Sequence, residues 1–248
     1  MTHPAAPHLD TPGHHRGGGS ENRAQARRIS GLAYAATLAV FLWWFAAQLG
    51  LSTIGGAMIL TLALLPWCAL LIIAHWRGVV HADSRGVYRG VAALFHVPAM
   101  LLFITTLADV HLLAWQEALL LTGLGGAAFA ALALWLDRRP TRKRQALVMM
   151  ALLALAYAYS LVAQADARLD RAPPQRFTAT VLDKHVYGGI HAPLRRYLTV
   201  APWGPRTEID DVTVDAETFH AVKRGGGVCI SRHPGALGIP WYSAAACG

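Results

Sequence analysis

Charge is what this sequence has least of. Of its 248 residues, 15% are Asp, Glu, Lys or Arg, against about 25% in an average soluble domain. Hydrophobic residues make up 54%, and the mean hydropathy is +0.36. So few charges cannot cover a soluble globule of this length, which excludes a simple soluble enzyme. The sequence also has no Gly-x-Ser-x-Gly elbow, phosphate loop, His-Glu-x-x-His pair or dinucleotide fingerprint. Ser160 and Ser231 have no base and acid at an informative spacing, so nothing in the sequence points to an enzyme. Its long apolar runs carry no Asp, Glu, Lys or Arg, whereas ion-coupled transport needs a partner for the moving charge.

What is present is a series of apolar runs long enough to cross a hydrocarbon core of about 30 Å at 1.5 Å per residue. Five spans are expected, over residues 31–50, 51–76, 90–108, 118–136 and 146–163. The connection around Gly50 and Ser52 is short enough to make the first two an antiparallel hairpin. Residues 1–29 have almost no large apolar side chains and are expected to be a disordered cytoplasmic tail. They do not read as a secretory signal, because the apolar run after them ends in Trp43, Trp44 and Phe45 instead of small cleavable residues.

Lys and Arg set the orientation. Twelve of them precede the first span or lie in the second-to-third and fourth-to-fifth connections, and the two opposite connections contain none. By the positive-inside rule the N-terminus is cytoplasmic and everything after Ala163 lies outside the cytoplasm of a bacterial inner membrane. The formal charge of +8 has the same origin, so it does not argue for nucleic acid as a partner. The expected partners are the lipid bilayer and an envelope protein reached through the C-terminal domain.

After a linker at residues 165–175 the pattern changes to short alternating runs rich in Val, Ile, Thr and aromatics. Phe177–Val186, Arg196–Ala201, Asp211–Val214, Val228–Ser231 and Ile239–Ala244 read as strands. Asp215 is placed to cap a short helix that carries Phe219 and Val222 on one face. The fold class is therefore an α-helical membrane bundle followed by a small barrel- or sandwich-like β-domain at residues 176–248.

Tyr197-Leu198-Thr199-Val200, Phe219-His220-Ala221-Val222, Val228-Cys229-Ile230 and the run from His233 to Tyr242 carry a resemblance. The last 70 or so residues resemble a family of bacterial multi-spanning membrane proteins of unknown function, whose outward C-terminal β-domain ends in a similar His-Pro-Gly, Leu-Gly, Trp-Tyr run. The chain departs from the family at Gly226-Gly227, where a Gly-Asp turn is usual. The resemblance implies no catalytic residue. Read from the residues themselves, Pro234-Gly235 and Gly238 make a turn between two strands. Tyr197, Trp203, Trp241 and Tyr242 are candidates for an interaction surface, with core packing or interfacial anchoring as the alternative.

The twelve histidines raise a metal or haem reading. His75 closes the second span and His96 lies inside the third, which makes a small redox (haem or quinone) or transport component the alternative function. No His-x-x-x-His pair or carboxylate accompanies them, so neither a cofactor nor a metal is assigned. A lone intramembrane His is more often bonded to a neighbouring helix. His185 and His191 flank Gly188-Gly189, but two ligands without a third are weak. Gly123, Gly126, Ala127, Ala130 and Ala131 give the fourth span a small-residue packing face. Of the three cysteines, Cys68 is in the second span, while Cys229 and Cys247 fall in the extracytoplasmic domain, where thiols are oxidised. With Ser231 or Arg232 paired near Ile239–Trp241, the tail must fold back to form a Cys229–Cys247 disulfide. The alternative is a buried Cys229 and a frayed thiol at Cys247.

Overall fold

The computed structural model describes residues 18–49, 55–76, 80, 89–137, 144–189 and 192–247. Its elements are α1 (Gly18–Gln48), α2 (Gly56–His75), α3 (Arg89–Asp109), β1 (His111–Leu112), α4 (Ala118–Leu136), α5 (Arg144–Leu169), β2 (Gln175–Gly189), β3 (Ala192–Val200), β4 (Asp210–Val214), α6 (Ala216–Ala221), β5 (Gly227–His233) and β6 (Trp241–Ala246). Among the described residues five helices are long and apolar enough to cross a membrane. Large apolar side chains stand outward along them, with Leu71 70% and Leu120 71% exposed. Such helices suit a lipid environment, where outward leucine is not penalised.

The chain divides into two compact units. One contains α1, α2, α3 up to Pro98 and the end of α4 from Ala133. In this unit the Gly90 amide, in the first turn of α3, donates to Ser30 Oγ of α1 at 3.1 Å. Pro66 lies inside α2. Helix α1 begins well before the expected span, so residues 18–29 are helical and not a disordered tail; the rest of the proposed tail lies outside the described residues. The Arg, Ala and Gln content of 23–28 favours helix, and the helix continues unbroken into the apolar run. The expected turn around Gly50 and Ser52 also lies outside the described residues.

The second unit holds the rest of α3 and α4, all of α5 and the β-domain. Helices α4 and α5 approach closely at Gly126, where a Cβ would press on the Leu155 side chain. Gly125 faces Ala158, and the Phe129 and Tyr157 rings meet at 4.8 Å. The packing face thus runs through Gly125, Gly126 and Phe129, whereas Gly123 faces open space and Ala127 and Ala131 are exposed.

The β-domain is a six-stranded antiparallel sheet of order β1-β6-β5-β2-β3-β4. It is nearly closed like a barrel, with β4 meeting β6. Its core is Ala179, Val181, Leu198, Val200, Trp203, Val212, Val214, Val222, Val228, Ile230 and Tyr242. Strand β2 is shared: Gln175–Thr180 pair with β5 and Val181–Gly189 with β3. Between Val181↔Val200 and Asp183↔Thr199 the register shifts at Leu182. A bulge of this kind changes which residues point inward. Phe177, Ala179 and Val181 face the core, and beyond the bulge Asp183, His185 and Tyr187 lie on the outer face opposite Thr199, Tyr197 and Arg195.

Helix α6 is capped as its sequence suggests, the Asp215 carboxylate accepting from the Thr218 amide at 2.7 Å. At its other end Lys184 Nζ donates to the carbonyls of Phe219 and Val222 and sits over the Phe219 ring, where the helix dipole favours a cation. Strand β1 was not anticipated. Its two residues belong to the connection between α3 and α4 and pair as His111↔Tyr242 and Leu112↔Trp241.

Candidate functional site: the clasp below the β-domain and its outer face

The sequence from His233 to Tyr242 forms the β5–β6 connection, and it closes on the end of α5. Helix α5 runs six residues past the expected span, to Leu169, so residues 165–169 of the presumed linker are helical. This carries Asp166 into a fully buried position, 0% exposed. Its Oδ1 accepts the Leu237 amide at 2.7 Å and the Ile239 amide at 3.5 Å, and its backbone carbonyl accepts Ala236 N–H at 3.0 Å. Asp170, one turn further, accepts the Gly235 amide at 2.9 Å and the Ala172 amide at 2.9 Å.

Gly235 is the element that permits this contact. Its φ is +80°, in the left-handed region where glycine is favoured. A Cβ there would run into both carboxylate oxygens of Asp166 and the Ile239 carbonyl. Asp166 Oδ2 is buried without a hydrogen-bond partner among the described residues. Beside it the His233 and Trp241 rings stack at 3.9 Å. Partial burial lowers the His233 pKa, with Asp170 opposing. For Asp170 burial acts upward, but the Ala172 and Gly235 amides and the nearby His233 ring bring the net shift down.

Further ties hold the same end of the domain. Leu113 N–H donates to the Pro240 carbonyl at 2.7 Å. Arg168 pairs with Asp109 at 3.1 Å, donates to Gln164 Oε1 at 2.7 Å, and Gln164 in turn donates to Thr106 Oγ1 at 3.3 Å. His111 stacks on Tyr242 at 5.3 Å. Burial lowers its pKa against the pull of Asp109. Desolvation also raises Tyr242 to about 12. The β-domain is therefore clasped to α3 and α5 at several points and does not hang on a flexible linker.

The outer face of β2, β3 and β4 is the second feature. His185 stacks on Tyr197 at 5.4 Å, and Tyr187 meets both rings edge-on. Asp211 joins this group: Thr199 Oγ1 donates to it at 2.7 Å, and His185 Nε2 lies 3.5 Å from its other oxygen. Tyr187 is 67% exposed, so the aromatic group is open to a partner.

The four aromatics proposed as one surface do not share it. Tyr197 is on the outer face, but Trp203 and Tyr242 are 3% and 9% exposed and belong to the core. They fill the interior of the nearly closed sheet, where Trp203 packs on Phe177 and Tyr242. Trp241 is half-buried in the clasp. In the spans, His96 Nδ1 bonds to the Ala92 carbonyl of its own helix at 2.7 Å, and His75 packs edge-on against Trp76. His191 lies outside the described residues, and among them no group of three or more His, Cys, Asp or Glu has metal-binding geometry. Cys229 and Cys247 are joined in a disulfide with Cα atoms 5.0 Å apart. The strand register behind it is Ser231↔Ser243, Arg232↔Tyr242 and Cys229↔Ala245, beyond the Ile239–Trp241 partners expected for Ser231 or Arg232. Cys68 is a free thiol on α2.

Sequence reasoning missed Asp166, Asp170 and the His185–Asp211 pair. The one available signal was a pair of aspartates one helical turn apart just after an apolar run. No family model matches the chain, and no curated protein or solved structure is significantly similar to it.

Proposed function

We propose that this chain is an accessory protein of the bacterial inner membrane that holds a small β-domain on the extracytoplasmic side as an interaction module for another envelope protein. The observation that carries the reading is the clasp: five amides of the β5–β6 connection and the α3–α4 connection are bonded so that the domain is fixed to α3 and α5, while Tyr187 on the outer face of β2 is left 67% exposed. The absence of Lys and Arg from the two connections on that side supports the orientation. The likeness of the C-terminal run to the bacterial membrane family supports the compartment. The presented group is His185, Tyr187, Tyr197 and Asp211, in keeping with the enrichment of tyrosine at protein interfaces.

A photo-crosslinking amino acid placed at Tyr187 in intact cells is expected to capture a discrete protein species, and the same probe at buried Val212 is expected to capture none. Identical patterns from the two positions would contradict the proposal. The absorption spectrum of the detergent-purified protein discriminates the alternative: a haem band that disappears in His96→Gln would instead favour a redox component built on His75 and His96.

A further inference from the structure

The loop from Pro234 to Pro240 lacks the features of a water-facing turn. From Pro234 to Tyr242 it contains no Asp, Glu, Lys, Arg, Ser, Thr, Asn or Gln. Pro234, Ala236, Leu237 and Gly238 are nonetheless exposed, Leu237 to 49%. Its N–H groups all have protein acceptors. Gly235 N–H goes to Asp170, Ala236 N–H to the Asp166 carbonyl, Leu237 and Ile239 N–H to Asp166 Oδ1, and Gly238 N–H to the Gly235 carbonyl at 3.1 Å. Pro234 and Pro240 have no N–H to satisfy. No amide in the seven-residue stretch therefore depends on water for a partner. An exposed loop in water has no need of this, whereas non-helical backbone at membrane depth survives only when its polar groups are satisfied by protein.

The height of the loop follows from α5. The uncharged part of that helix is 145–165, twenty-one residues between Arg144 and Asp166. At 1.5 Å per residue it is about 31 Å long, which matches a hydrocarbon core of about 30 Å. Asp166 thus stands at the boundary between acyl chains and headgroups, and its carboxylate holds Leu237 and Ile239 at the same level. Other exposed apolar side chains come from the segments that end there: Leu169 at 64% and Trp115 at 56%. An exposed Trp beside the end of a span is an interfacial anchor.

We infer that the Pro234–Pro240 loop is a membrane-interface anchor, with Leu237 and its exposed neighbours inserted at the acyl–headgroup boundary of the outer leaflet and the Asp166 and Asp170 carboxylates supplying acceptors for loop N–H groups there in place of water. The occupant of this exposed apolar patch is lipid, since Asp166 ties the loop to α5 at the point where the uncharged, bilayer-length part of that helix ends. The inference rests on α5 spanning the bilayer and is independent of what the outer face of the domain binds.

The test uses the full-length protein with Cys68→Ala, the native disulfide intact, reconstituted in phosphatidylethanolamine–phosphatidylglycerol vesicles. Single spin labels are attached at Leu237→Cys, at Ala236→Cys as a second loop position, at Leu152→Cys in mid-span and at Tyr187→Cys on the outer face. The ratio of collision with oxygen to collision with a water-soluble nickel chelate reports depth. Both loop labels are expected to give a ratio well above that of Tyr187 and below that of Leu152. Loop labels as accessible to nickel as the Tyr187 label would overturn the inference, and a water-like ratio at Leu152 would overturn the span on which it rests.

Discussion

Replacing Gly235 with alanine tests the clasp where it is most tightly specified. The left-handed backbone at φ +80° costs a non-glycine residue about 1 kcal/mol. The new methyl group also meets the Asp166 carboxylate and the Ile239 carbonyl, an overpacking worth about 3 kcal/mol at the upper end of its usual range. The expected loss is about 4 kcal/mol in the stability of the loop against opening. Asp166→Ala removes a charged acceptor from the Leu237 amide and a longer contact to Ile239, a loss of about 2 kcal/mol. The two changes should not add. With the carboxylate gone, only the backbone term and the Ile239 carbonyl oppose the methyl group, so Gly235→Ala in that background should cost about 2 kcal/mol, a coupling of about 2 kcal/mol. Hydrogen exchange at the 235–239 amides, measured for the four proteins in detergent micelles, gives each opening free energy. Additivity within about 0.5 kcal/mol would show that Gly235 and Asp166 do not share a site, and the account of the His-Pro-Gly run would be wrong.

The disulfide closes a loop of 18 residues, so Cys229→Ser with Cys247→Ser should destabilise the β-domain by about 3 kcal/mol on chain-entropy grounds, read as a lower midpoint in chemical unfolding followed by domain tryptophan fluorescence. Gly126→Val puts two methyl groups against Leu155 and should cost about 1 to 3 kcal/mol, whereas Gly123→Val faces open space and should cost little; equal effects would displace the packing face. Acid should weaken the domain end nearest the helices. The His233 and His111 pKa values are lowered on folding, so the unfolded chain binds protons first. Stability should therefore fall as pH drops through 6.5 and level off below the folded-state values, and His233→Phe should flatten part of that slope in a series of thermal melts.

Much of the architecture was legible because hydrophobic runs and alternation report directly on burial. Strands β2 to β6 fall where Val, Ile, Thr and aromatic residues alternate, and Asp215 caps α6 as its position suggests. Other features depend on contacts distant in sequence. The extension of α5 through Asp166 is stable because amides some seventy residues later bond to it, and a charge at the end of an apolar run otherwise reads as the start of a linker. The two residues of β1 are too short to show a period and are strand only because β6 lies beside them. The bulge at Leu182 left no glycine or proline mark, yet it decides that Asp183, His185 and Tyr187 reach the outer face. Trp203 and Tyr242 looked equivalent to Tyr197 by residue type, and only the near closure of the sheet separates those that fill it from the one that faces out.

The central claim is that the spans carry the β-domain to the side opposite the basic connections, and reporter fusion measures it most directly. A periplasm-dependent phosphatase fused after Gly248 is expected to be active, and the same enzyme inserted into the connection between α4 and α5, which contains Arg138, Arg139, Arg142 and Lys143, is expected to be inactive. The reverse pattern would contradict the account, because the domain would then lie on the same side as the basic connections.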